Sequence, residues 1–134
     1  MKIHWIRVLV AGFLIEVVLA IVLVGGFAAA GVALETISTA SAVVIGVGCF
    51  LAAFLVVSWF GRRIESHLVL HGFLMGLVAT LLYVALVAGS GQMSTALAAY
   101  GPATFVIVNA ARLVGAVLGG VACERRRAAL ATVR

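Results

Sequence analysis

The chain has 134 residues, of which 66% are hydrophobic and 10% charged, with a formal net charge of +5. A water-soluble domain of this length would have no polar surface to dissolve it, so the composition excludes that class and points to the membrane. Almost no soluble chain is left over to carry a basic folded face, which excludes nucleic-acid binding as the meaning of the positive charge.

Crossing the hydrocarbon core takes roughly 20 apolar residues as a helix. Four segments meet that length, about 5–29, 41–60, 67–88 and 103–123. Lipid offers no partner to backbone N–H and C=O groups, so each segment must satisfy its own hydrogen bonds, which selects helix despite the many Val and Ile residues. A β-barrel would need alternating segments of about ten residues, and these runs are continuous. The predicted fold class is all-α, a single membrane domain formed as a bundle of four transmembrane helices.

The first segment holds one carboxylate, Glu16, within the run "AGFLIEVVLAIVLVGG". Its basic start and the stretch "AAAGVA" at 28–33 have the flavour of a cleaved signal. The apolar run is too long for the roughly 7–15 residues of a signal core, so an uncleaved first helix is expected. The second segment carries Cys49 near its middle, and Cys123 closes the fourth. Their depths differ by roughly ten helical residues, which forbids a disulfide. No Cys/His cluster has metal-ligand spacing, so neither metal nor cofactor is expected.

The third segment opens with His67 and His71. No acid follows in the HExxH manner, so the pair reads as shallow histidines bonding headgroups or loop carbonyls. The connection 89–102 contains Gly-Ser-Gly and then "QMSTALAAY". It reads as a crossover loop, with a short interfacial helix as the alternative and Tyr100 as a headgroup anchor.

The fourth segment carries Asn109 and Arg112 on a stripe with Val108, Gly115, Ala116 and Gly119. Glu16 lies eleven residues beyond Trp5, and Arg112 eleven before Cys123. Both therefore sit roughly 16 Å from the same boundary, near the middle of the core. A lone charge there costs about 2.5–3.5 kcal/mol on insertion scales, so the two are predicted to pair, the guanidinium holding the carboxylate through two parallel hydrogen bonds. Two roles stay open for Glu16, Arg112 and Asn109. They fix which helix faces which, or they line a path for a proton, ion or small solute.

Orientation follows from the basic residues. Lys2 precedes the first segment and Arg7 lies at its start, Arg62 and Arg63 follow the second, and Arg125, Arg126, Arg127 and Arg134 follow the fourth. The positive-inside rule puts both termini in the cytoplasm. There Arg62, Arg63, Arg125, Arg126 and Arg127 attract anionic lipid headgroups at about 1 kcal/mol per residue. Gly12, Gly72, Gly76, Gly115 and Gly119 lie at spacings that let helix backbones approach, within one chain or between copies. "LVAGFLIEVVLA" from Leu9 also parallels "VLHGFLMGLVAT" from Val69, suggesting a tandem two-helix hairpin.

"HGFLMGLVATLLY" and "LGGVACERRR" resemble segments of small, uncharacterised four-helix bacterial integral membrane proteins. The resemblance implies a multi-pass protein of the bacterial inner membrane and brings no active site with it. Small multidrug exporters also place one Glu in the first of four helices, but their aromatic-rich substrate stretch has no counterpart here. The polar and phenylalanine track of the dimeric fluoride channels is missing too. No nucleophile with a base, metal cluster or phosphate loop stands out, so no enzyme is expected. The expected function is that of a structural or accessory subunit in a homo-oligomer or larger membrane complex. A small transporter or channel built on Glu16 and Arg112 is the alternative.

Overall fold

A computed structural model of the chain describes residues 3–29 and 39–132. Its elements are α1 (Trp5–Ala29), α2 (Thr39–Phe60), a single 3-10 turn (Gly61–Arg63), α3 (Leu68–Gly89) and α4 (Met93–Ala131). Each of the four helices contains a segment long and apolar enough to cross a membrane. Lys2, Arg134, most of the "AAAGVA" stretch and the connection between the first two helices lie outside the described residues, as does the side chain of Tyr100.

Apart from the Asn109 and Arg112 stripe of α4, the helices are apolar on every face within their spans. Small and large residues share the interior: Ala11, Ala53, Ala79 and Ala116 are fully buried with Val8, Ile15 and Met75, whereas Ile6, Phe13, Ile21, Leu55, Leu86 and Ile107 point outward. The buried alanines let the helix backbones approach closely.

The most extensive interface joins α2 to α4, and the next joins α3 to α4; α1 packs on α3 and on α2, and its backbone does not approach α4. Neighbours α2 and α4 run in the same direction, since Gly46 meets Val108, Cys49 meets Arg112, and Ser58 meets Cys123. The same holds for α1 and α3, where His4 meets His71 and Gly12 meets Met75 and Val78.

All five predicted packing glycines stand at helix contacts within the chain. A Cβ on Gly72 would lie 2.5 Å from the Ala116 carbonyl oxygen, on Gly76 2.7 Å from Ala116 Cβ, and on Gly119 2.8 Å from the Phe54 carbonyl oxygen. Gly12 meets Val78 in the same way, and Gly115 lies directly on the Phe50 carbonyl. Gly120 against Leu68 and Gly61 against Cys123 serve the same purpose, though neither falls in the spacing pattern read from the sequence.

One end of the bundle gathers the chain start, the α2–α3 turn and the last turns of α4. Arg7 donates to the Arg63 carbonyl, and Arg127 Nη2 reaches the Gly61 carbonyl at 3.4 Å. Glu124 Oε1 accepts from the Val69 N–H at 3.4 Å, answering one of the unpaired donors at the start of α3. At the other end α4 is broken by Gly101, whose φ of 73° and ψ of 151° are open only to glycine. Pro102 follows and cannot donate. Residues 93–100 thus form a short helix of their own, where a plain crossover loop was the first expectation. Beyond the bend α4 runs on past Cys123 to Ala131, so Arg125, Arg126 and Arg127 are helical.

Candidate functional site

Arg112 projects from the inner face of α4 and is 1% exposed. Its Nε lies 3.2 Å from Oε1 of Glu16 on α1, which is 13% exposed. The two predicted parallel hydrogen bonds do not form: the contact is electrostatic, and neither Nε nor Oε1 has an aligned hydrogen-bond partner. The guanidinium turns its other nitrogens elsewhere. Nη1 donates to Asn109 Oδ1 at 3.1 Å, and Nη2 points to Cys49 Sγ at 3.8 Å. One face of the group lies 4.9 Å from the centre of the Tyr83 ring.

Asn109 is itself held. Its amide nitrogen donates to the Phe105 carbonyl one turn back, at 2.8 Å, which aims Oδ1 at Arg112. The arginine is therefore gripped from every helix: Glu16 on α1, Cys49 on α2, Tyr83 on α3 and Asn109 on α4. Because α1 and α4 do not touch through their backbones, the ion pair crosses the middle of the bundle between α2 and α3. A hydrogen bond to a charged group contributes about 1.5–3 kcal/mol, and a desolvated cation–π contact about 2 kcal/mol.

The sequence brought Glu16, Arg112 and Asn109 together by depth, and the structure places them in contact. It adds Tyr83 and Cys49, which depth alone did not flag. The only signal for Tyr83 was a lone phenol in the aliphatic run "LLYVALV". For Cys49 the sequence offered no signal of this contact.

Of the two partners expected for the histidines, headgroups or loop carbonyls, His71 takes a loop carbonyl, and it is buried, 1% exposed. Its Nδ1 lies 2.9 Å from the His67 carbonyl, and its Nε2 lies 3.2 Å from the His4 N–H. A carbonyl only accepts and an amide N–H only donates, so Nδ1 carries the proton and the ring is neutral. The start of the chain covers this end of α3, which is why the ring is sealed from solvent. His67 is exposed and precedes α3, with a left-handed backbone at φ 52° and ψ 48°.

Arg62, Arg63, Arg125 and Arg126 are exposed at this end, and Arg127 is half-buried. Arg63 lies over Trp59, 5.3 Å from the ring centre. Cys49 and Cys123 are both free thiols. Among the described residues no three His, Cys, Asp or Glu side chains converge as metal ligands. Comparisons with protein-family models, with curated proteins and with solved structures return no match.

Proposed function

We propose that the chain is a non-enzymatic integral membrane protein that serves as a structural or accessory subunit, in a homo-oligomer or within a larger complex of the bacterial inner membrane. The observation that carries this reading is the environment of Arg112. The polar groups around it draw four helices together, so the scarce chemistry of the core is used for assembly. The bundle then presents broad apolar faces with exposed Val43, Val47 and Ile107, suited to lipid or to another membrane helix. Both termini are placed in the cytoplasm, supported by the gathering of Arg7, Arg62, Arg63, Arg125, Arg126 and Arg127 at one end. The duplicated hairpin is in keeping with the parallel neighbours α1/α3 and α2/α4.

The test is the state of the full chain in its own membrane. In-membrane crosslinking from a cysteine placed at Val47, followed by native mass spectrometry, is expected to report a defined oligomer or a stoichiometric partner. A monodisperse monomer in several mild detergents, with no crosslink and no copurifying subunit, would overturn the reading. The second reading, a small transporter or channel, is favoured by one observation, the residual exposure of Glu16 beside a sealed Arg112. Proteoliposome flux that is unchanged by Glu16→Gln and Arg112→Gln would remove it.

A further inference from the structure

The His71 ring, on the first turn of α3, is closed on both sides. Its Nδ1 faces the His67 carbonyl oxygen at 2.9 Å, and that oxygen also accepts the His71 backbone N–H at 3.0 Å. His67 presents the carbonyl from a left-handed backbone, φ 52°, which a residue with a Cβ adopts only where its surroundings hold it. On the other side Nε2 accepts the His4 N–H at 3.2 Å. That donor belongs to the backbone just ahead of α1, so it cannot turn aside unless the chain start moves with it.

As a neutral group the ring is fully used. A second proton would go on Nε2, where it meets the His4 N–H donor to donor, and it would bury a charge in the interior. Of the two contacts, the one with His67 gains, because a cationic ring donates more strongly from Nδ1. The one with His4 is lost.

The surroundings hold nothing that would keep an imidazolium in place. From α1 the ring faces His4, 5.9 Å away between ring centres, and Arg7, which donates to the Arg63 carbonyl. Both oppose a positive charge. The α2–α3 connection carries Arg62, Arg63 and Glu65, all exposed, with Arg63 turned over Trp59. Helix α2 contains no Asp, Glu, Lys, Arg or His, and its Cys49 lies up the bundle at Arg112. From α4, Glu124 accepts the Val69 N–H, Cys123 donates to the Ser58 carbonyl, and Arg125, Arg126 and Arg127 follow. No carboxylate pairs with His71 among the described residues.

We propose that His71 and the His4 N–H form a proton-released latch: one more proton on the ring unseats the chain start from α3, while the bundle itself stays closed. Arg7 still ties α1 to the α2–α3 turn, so the part set free is the short stretch ahead of it. Ile3, half-buried against the core, leaves with that stretch. The latch works in the range where histidine is the side chain that ordinarily changes charge. It depends on neither the accessory role nor an oligomer.

The isotope-labelled full chain in lipid nanodiscs, followed by NMR from about pH 8 to about pH 5, tests it. At the alkaline end the ring shifts are expected to show Nδ1 protonated and Nε2 bare. Toward the acid end the imidazolium signal should rise, and protection of the His4 amide, its exchange rate against that of the unfolded chain at the same pH, should fall about tenfold or more. A release that takes up one proton changes by up to about tenfold per pH unit. Amides within α2 and α4 should keep their protection. His4→Gln retains the backbone donor and should retain the pH dependence, whereas His71→Gln cannot take the proton and should remove it.

A ring protonated on Nε2 at the alkaline end would overturn the bond pattern. A ring that takes up its proton while the His4 amide stays protected, or one still neutral at the acid end, would overturn the latch. Loss of protection in α2 and α4 in step with His4 would make the event general unfolding and overturn it as well. If His4→Gln erased the pH dependence, the His4 ring and not His71 would be the switch. Should His71→Gln fail to fold, the ring and amide signals of the wild type decide alone.

Discussion

Removing Glu16 strands a guanidinium that cannot be neutralised. Breaking a buried ion pair from one side costs about 3–5 kcal/mol, most of it from the charge left behind. Arg112 keeps Asn109 at 3.1 Å and the Tyr83 ring at 4.9 Å, so Glu16→Gln is expected at the low end, about 3 kcal/mol. Arg112→Gln leaves a carboxylate, which can be neutralised by a proton, but forfeits both of those contacts, so its cost is expected to be similar. The two losses are one loss counted twice. The double variant should therefore sit near either single, giving a coupling of about 2–3 kcal/mol, at the top of the range for residues in contact. Exchanging the pair, Glu16→Arg with Arg112→Glu, should recover only part, because Asn109 and Tyr83 are set for a cation on α4. Thermal unfolding in mild detergent, followed through Trp5 and Trp59, reads all five proteins. Additive single losses, with a coupling below about 0.5 kcal/mol, would refute the claim that the pair joins α1 to α4.

Further outcomes follow from the same contacts. Gly72→Ala drives a Cβ to 2.5 Å from the Ala116 carbonyl oxygen and is expected to cost about 1–3 kcal/mol in detergent unfolding. Gly25→Ala meets nothing within 4 Å and should stabilise α1 by up to about 1 kcal/mol, so equal effects of the two would contradict the described packing. Gly101→Ala forces a side chain into a conformation reserved for glycine and should cost about 1–3 kcal/mol, felt as faster hydrogen exchange over residues 93–100. Tyr83→Leu should cost about 2 kcal/mol and Tyr83→Phe less, because phenylalanine keeps the ring over Arg112. His71→Leu removes the acceptor of the His4 N–H, and exchange at that amide should rise with little change in global stability.

The four long apolar helices were legible because a long apolar run must satisfy its own backbone hydrogen bonds wherever water is absent, and that rule does not depend on neighbours. Glu16 and Arg112 were matched by counting along helices of fixed rise from the same boundary. The number of bonds between them was not, because it depends on the exact rotation and side-chain conformation of each partner, which counting along a helix does not give. Tyr83 and Cys49 stayed hidden for that reason: an uncharged residue on a featureless helix points nowhere until its neighbour is placed. The helix runs on through Arg125, Arg126 and Arg127 to Ala131, a length that span counting does not address because it sets where apolar chain ends and not where helix ends. His71 was read as shallow from its sequence depth alone. The segment that seals it, around His4, is distant in sequence and is brought there by the packing of α1 on α3.

The charge pair also joins α1 to α4, two helices synthesised well apart in time. At about 5–20 residues per second, the stretch between Glu16 and Arg112 takes several seconds or more to emerge, and for that time the carboxylate has no answer within its own chain. A chain that stops short of α4 keeps an uncompensated acid deep in α1, and so differs chemically from one that includes α4. This single contact thus reports whether α4 has been made and has docked.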